Sequence, residues 1–77
     1  MKNVTIYSTP ACKYCGHAKE FFQQNNIQYT EVNVAVDAEK RAEMIDISGQ
    51  MGVPVIRIDD NVVIGYDEQA LKELLLT

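Results

Sequence analysis

Residues 6–22 read IYSTPACKYCGHAKEFF. The stretch joins an apolar, β-branched run to a helical one and sets both cysteines of the chain, Cys12 and Cys15, three residues apart between them. Such a pair is a structural staple, a metal grip or a reactive dithiol. A disulfide closing so short a loop constrains the unfolded chain very little, which makes it a poor staple and a good switch. If the helix begins just after Cys12, that residue is the N-cap, where the amides of Tyr14 and Cys15 lack intrahelical partners. A thiolate there gains their hydrogen bonds and the positive end of the helix dipole. An ordinary thiol of pKa about 8.5 is only a few per cent ionised at pH 7; Cys12 is expected to be more acidic, a nucleophile at rest, with Lys13 adding positive charge beside it. Cys15, one turn on, lies about 5 to 6 Å away at i, i+3 spacing, within the Cα separation a disulfide accepts. It is expected to face inward and to attack a mixed disulfide formed at Cys12, leaving a Cys12–Cys15 bond.

The metal reading weakens on counting. Cys12, Cys15 and His17 offer three zinc ligands, a closed structural site needs four, and the chain has no further Cys or His. No metal site is expected, and His17 reads as an exposed helix residue. Attachment of c-type haem requires His where Gly16 stands. A copper chaperone also places Cys-x-x-Cys after its first strand, but it would finish on a strand. This chain finishes on Leu71, Leu74 and Leu75 at helical spacing.

Outward from the pair, Asn3 to Tyr7 reads as a strand ended by Ser8-Thr9-Pro10. Tyr14, Ala18, Phe21 and Phe22 form one apolar helical face, and Asn25-Asn26 supplies a stop. Ile27 to Val36 contains an alternating strand. Asp37 caps a helix running to Ser48 with Ala38, Ala42 and Ile45 on one side, and Gly49 ends it. Val53 to Ile58 reads as a strand opened by a proline, Asp59-Asp60-Asn61 as a hairpin turn, and Val62 to Ile64 as the returning strand. Asp67 caps a last helix that buries Ala70, Leu71, Leu74 and Leu75, with Tyr66 stapled against Leu71. The order β-α-β-α-β-β-α implies an α/β fold: a four-stranded mixed sheet, the first strand central, with helices on both faces.

Length and composition bound the rest. A chain of 77 residues, 47% apolar, has room for one small domain, residues 1–77. A net charge of −4 and seven scattered Lys and Arg argue against nucleic acid or an anionic membrane as partner. The apolar start gives way at Ser8, short of the roughly 7 to 15 residues of a secretory signal, so the mature chain is expected to start near Met1. No apolar run approaches the roughly 20 residues of a membrane span, and a cytoplasmic monomer is expected.

Pro54 is the second constellation. Alone, a Val-Pro bond is cis in only about 5 to 6% of cases. Beside a Cys-x-x-Cys pair a cis bond is the expectation, aiming the Val53 amide and carbonyl at an extended peptide next to Cys12 in the manner of strand addition.

With these residues in place the chain resembles the thioredoxin superfamily and, within it, the glutaredoxins. The likeness runs through Ile6-Tyr7, Cys12-Lys13-Tyr14-Cys15, Val53-Pro54 and Gly65-Tyr66-Asp67. It implies a thioredoxin fold and a dithiol oxidoreductase of cell redox homeostasis and electron transport. Glutathione or a similar small thiol would be co-substrate, no cofactor would be tightly bound, and disulfide-containing proteins would be substrates. By resemblance Val53 and Pro54 hold the cysteinyl part of glutathione, and Gly65, Tyr66 and Asp67 its γ-glutamyl end. Tyr14 would stand beside the bound thiol, although helical spacing puts it on the Ala18–Phe21–Phe22 face; both hold if its ring lies at the rim. Lys13 replaces the proline many glutaredoxins carry and would contact the glycyl carboxylate. Thr9 stands where a basic residue is often found, Gly52 where Thr is common, and Ile64 where the first of two glycines is usual. The missing basic residue and the altered glycine pair favour one alternative, a small redoxin similar to those that serve ribonucleotide reductase, recharged by thioredoxin reductase; the resemblance implies another, a binder that holds an iron-sulfur cluster between paired subunits with Cys12 and glutathione thiols, as some glutaredoxins do.

Overall fold

The structure, a computed structural model, describes residues 2–76; Met1, the expected start of the mature chain, lies outside them. Seven elements follow in the expected order: β1 (Val4–Ser8), α1 (Lys13–Gln24), β2 (Thr30–Asn33), α2 (Ala38–Ser48), β3 (Val55–Ile58), β4 (Asn61–Ile64) and α3 (Glu68–Leu75). They build one mixed sheet of order β2-β1-β3-β4. β1 is central, pairing in parallel with β2 and antiparallel with β3, which pairs antiparallel with β4.

Strand pleating divides the core in two. Val4 and Ile6 of β1, with Ile56 and Ile58 of β3, face Ala18, Phe21 and Phe22 of α1 and Leu71 of α3. Tyr7 and Val55 face the other way, onto Val34 and Met44. Helices therefore lie on both faces, as the thioredoxin fold requires: α1 and α3 on one, α2 on the other.

The stops and caps fall where their chemistry predicts. Asn26 is left-handed (φ 56°) after α1, and Gly49 ends α2 at φ 73°. Asp37 and Asp67 are the N-caps of α2 and α3; their carboxylates accept from the amides of Lys40 and Ala70, each at 3.1 Å. Tyr66 packs against the cluster that contains Leu71.

Four boundaries or faces differ from expectation. β1 continues through Ser8 because that residue pairs with Asn33. β3 begins at Val55 rather than Val53, since Pro54 has no N–H for the ladder. The hairpin turn is only Asp59-Asp60: Asn61 already pairs with Ile58, and Asp59 takes the positive φ (51°) that two-residue hairpins need. On α2, Ala38 and Ala42 are exposed and Ile45 half-buried, while Met44 is the buried residue. The unbranched thioether fills the space over Tyr7 and Val55 that alanines are too short to reach.

Candidate active site

Sheet polarity decides what meets what. β1 and β4 run the same way and β3 runs against them, so the C-terminal ends of β1 and β4 and the N-terminal end of β3 share one edge. From that edge the chain issues as Thr9–Cys12, Gly65–Asp67 and Val53–Pro54. The three segments singled out in the sequence are thereby gathered at one end of the sheet.

Cys12 is the N-cap of α1, with extended dihedrals (φ −89°, ψ 111°). Its Sγ accepts a hydrogen bond from the Cys15 amide at 3.1 Å. Among the described residues this is the one amide that reaches it; Tyr14, also expected to donate, does not. The Cys12 N–H donates to the Thr9 carbonyl at 3.2 Å, which holds the turn into the helix. The two cysteines are joined as a disulfide with Cα atoms 5.2 Å apart. Their burial differs: Cys12 is half-buried, whereas Cys15 is 1% exposed. Of the two cysteines, Cys12 is therefore the one open to solvent.

The Val53–Pro54 bond is cis. The Pro54 carbonyl accepts from the Gly65 amide at 2.8 Å, tying this loop to the turn before α3. Among the described residues, neither the Val53 N–H nor its C=O has a hydrogen-bond partner. Ahead of it, the Gln50 side chain accepts from the Gly52 amide at 2.6 Å and donates to the Gly52 carbonyl at 3.1 Å. A Cβ at Gly52 would stand 2.7 Å from the Gln50 Oε1, the far end of a flexible side chain, and would push that side chain off its bonds to Gly52.

Gly65 has φ 77°, in the region that favours glycine, and turns the chain into α3. Asp67 follows as N-cap, so the free amides of the first turn of α3 face this end of the molecule. Tyr66 is half-buried; burial first, then the charges of Glu68 and Glu20, push its phenol upward. Lys13 is exposed.

Tyr14 departs from the helical-face reading. It is 61% exposed, and Cys15 heads the buried stripe that continues through Ala18 and Phe22. Side chains on a helix tilt toward its N-terminus, so a ring at the second helical position points past the end of the core. There it meets His17, ring centres 5.8 Å apart, and His17 in turn meets Tyr66 at 6.1 Å. His17 is exposed, as expected, yet it links two residues assigned to the site. The signal was the i, i+3 spacing from Tyr14. Among the described residues no group of three or more His, Cys, Asp or Glu side chains is arranged to hold a metal ion, and no helix is long and apolar enough to cross a membrane.

A thioredoxin-type sheet with a disulfide at the start of its first helix and a cis-proline loop on the same edge defines a thiol-disulfide oxidoreductase. Comparison with known proteins narrows the class. The family profile described as Glutaredoxin matches residues 4–63. A glutaredoxin-like 8.6 kDa protein of a rubredoxin operon in Clostridium pasteurianum is 43% identical over 72 residues, covering 94% of this chain and 96% of the relative. Glutaredoxin 3 of Escherichia coli (strain K12) is 38% identical over 68 residues, 88% of this chain and 82% of that one. The crystal structure of a glutaredoxin from Archaeoglobus fulgidus superposes with a TM-score of 0.90 at 27% identity, covering all of this chain and 89% of the other. The chain belongs to the glutaredoxin family.

Proposed function

We propose that this glutaredoxin-family oxidoreductase takes its electrons from glutathione, with Cys12 as nucleophile and Cys15 as resolving thiol. The observation that carries the assignment is the half-buried Cys12 Sγ at a helix N-terminus, 3.1 Å from the Cys15 amide that stabilises its thiolate. With a glutathione mixed disulfide, the Cys12 thiolate attacks the glutathione sulfur. The S–S bond breaks, the substrate leaves as a thiolate that takes up a proton, and glutathione is left bonded to Cys12. A second glutathione thiolate then attacks that bond, giving oxidised glutathione and free Cys12. With a protein disulfide, Cys12 bonds to one substrate sulfur and the other leaves. Deprotonated Cys15 then attacks Cys12 Sγ, expelling the second substrate thiolate and forming the Cys12–Cys15 disulfide; two glutathiones reduce it.

In this reading the free Val53 amide and carbonyl, beside cis-Pro54, pair with the main chain of the cysteinyl residue. The turn at Gly65 with Tyr66, the Asp67 carboxylate and the first amides of α3 receive the γ-glutamyl ammonium and carboxylate. Lys13 supplies charge for the glycyl carboxylate, and Tyr14 walls the site. The domain, residues 1–77, works as a cytoplasmic monomer with no tightly bound cofactor.

Thr9 in place of a basic residue and Ile64 in place of the first of two glycines favour a second reading in which thioredoxin reductase is the electron donor. The two are separated by comparing the rate at which glutathione reduces the oxidised protein with the rate for NADPH plus thioredoxin reductase. In either case Cys12→Ser abolishes turnover. With glutathione mixed disulfides Cys15→Ser retains part of it, since only the first sulfur is used. Turnover in the Cys12 variant, or its total loss in the Cys15 variant, overturns the proposed roles.

A further inference from the structure

The rings around the site form a continuous row. Tyr14 meets His17, His17 meets Tyr66, and Tyr66 packs edge-on against Phe21 at 6.5 Å. Phe21 is buried, 5% exposed, and touches the fully buried Phe22. The row thus starts at the exposed rim beside the cysteine pair and ends anchored in the core. Its weak point is Tyr14. That side chain is 61% exposed, and among the described residues its one ring contact is His17.

We infer that His17 is a positioning residue: its imidazole is the rung that fixes Tyr14 to Tyr66 and so holds the Tyr14 ring in place beside the cysteine pair. The inference rests on the reading above that Tyr14 and Tyr66 flank the bound thiol. An unfixed Tyr14 samples several rotamers, and ordering it has to be supplied by the incoming substrate, which weakens binding without touching the sulfur chemistry. Tilted ring pairs at these separations hold their partners modestly, which sets the size of the effect. His17 is exposed and outside the buried stripe, so replacing it leaves the core packing intact.

The test is steady-state turnover of a glutathionylated peptide by wild type, His17→Ala, His17→Phe and His17→Gln, with thermal melts of all four. His17→Ala is expected to raise KM about three- to tenfold, the equivalent of losing one or two ring contacts, with kcat held within about twofold. His17→Phe, which keeps a ring, restores KM; His17→Gln, which keeps polarity without a ring, does not. Nuclear Overhauser contacts from the His17 imidazole to both tyrosine rings accompany the wild-type result. An unchanged KM in His17→Ala, rescue by Gln rather than Phe, a fall in kcat alone, or absence of those contacts overturns the inference. Should wild type accept electrons only from thioredoxin reductase, the glutathione reading fails by itself. The same KM comparison on a disulfide-bonded protein then decides the role of His17.

Discussion

Replacing Asp67 separates its job as the cap of α3 from the role proposed for it at glutathione. α3 has only eight residues, fewer than the roughly 12 to 15 that an isolated helix needs. It is held by the buried Leu71 and by its cap, in which Asp67 Oδ1 accepts from the Ala70 amide at 3.1 Å. Asp67→Ala deletes that bond, at a cost of about 1 kcal/mol, and for a domain of this size that lowers Tm by about 4–8 °C. Asp67→Asn keeps an equivalent acceptor, because Asn and Asp cap comparably. It loses only the charge at the helix dipole, about 0.3–1 kcal/mol at low ionic strength, a deficit that closes as salt is added. In the glutathione reading, affinity follows a different order. If the carboxylate pairs with the γ-glutamyl ammonium, both variants lose the pair, and at an exposed site about 1 kcal/mol corresponds to a KM roughly fivefold higher. Circular-dichroism melts at two salt concentrations and turnover of a glutathione mixed disulfide measure both quantities. Wild-type KM in Asp67→Asn refutes the ammonium contact, and wild-type Tm in Asp67→Ala refutes the capping argument.

Two further outcomes test the scaffold. Phe22 is fully buried, edge-on to Phe21 at 6.1 Å and 5.0 Å from the ring of Tyr29; Phe22→Ala is expected to cost about 3–5 kcal/mol in urea denaturation, a large share of the total for a small domain, and a loss below about 1 kcal/mol would contradict the packing described. Glu31 accepts from Lys19 at 2.8 Å and from Ser8 at 3.3 Å, and the Lys19 contact holds its carboxyl below the usual carboxylate range. Its folded-state acidity is therefore the stronger. The stabilisation is complete above the ordinary glutamate range and disappears as pH falls through it to the lower folded value. The stability gap between wild type and Glu31→Gln should accordingly be constant near neutrality and shrink in acid; a gap that widens as pH falls would reverse the sign of this argument.

Much of the fold was legible because its punctuation is chemical. Asp37 and Asp67 as caps and Gly49 as a stop each do their local job where the sequence places it, and the turn starts at Asp59 as read, one residue shorter than expected. A mixed four-stranded sheet with β1 inside it was legible because one parallel crossover and one hairpin leave few ways to close such a sheet. Two buried faces were not. Ala38, Ala42 and Ile45 share a side of α2, but which side meets the sheet depends on the depth of the space over Tyr7 and Val55. Met44, long and pliant, is the α2 residue buried there, with Ile45 and Ile47 packed at its side. Tyr14 has the right phase for the core and still projects out, because at the second helical position the direction of the side chain outweighs periodicity.

The site itself shows why single-residue reading stops short of geometry. Cys12, Val53 and Gly65 are each recognisable by neighbours in sequence, yet nothing in any one of those neighbourhoods says that they meet. Sheet polarity says it: two strands end and a third begins on the same edge, so segments distant in sequence emerge side by side, and the 2.8 Å bond from Gly65 to Pro54 pins two of them together. Only after that edge is assembled does His17 acquire a neighbour in Tyr66. Taken alone it was a polar residue on an exposed helical face; between two tyrosines it has a position to hold. Its role is a property of the assembled edge, and the spacing Tyr14–His17 shows one half of it.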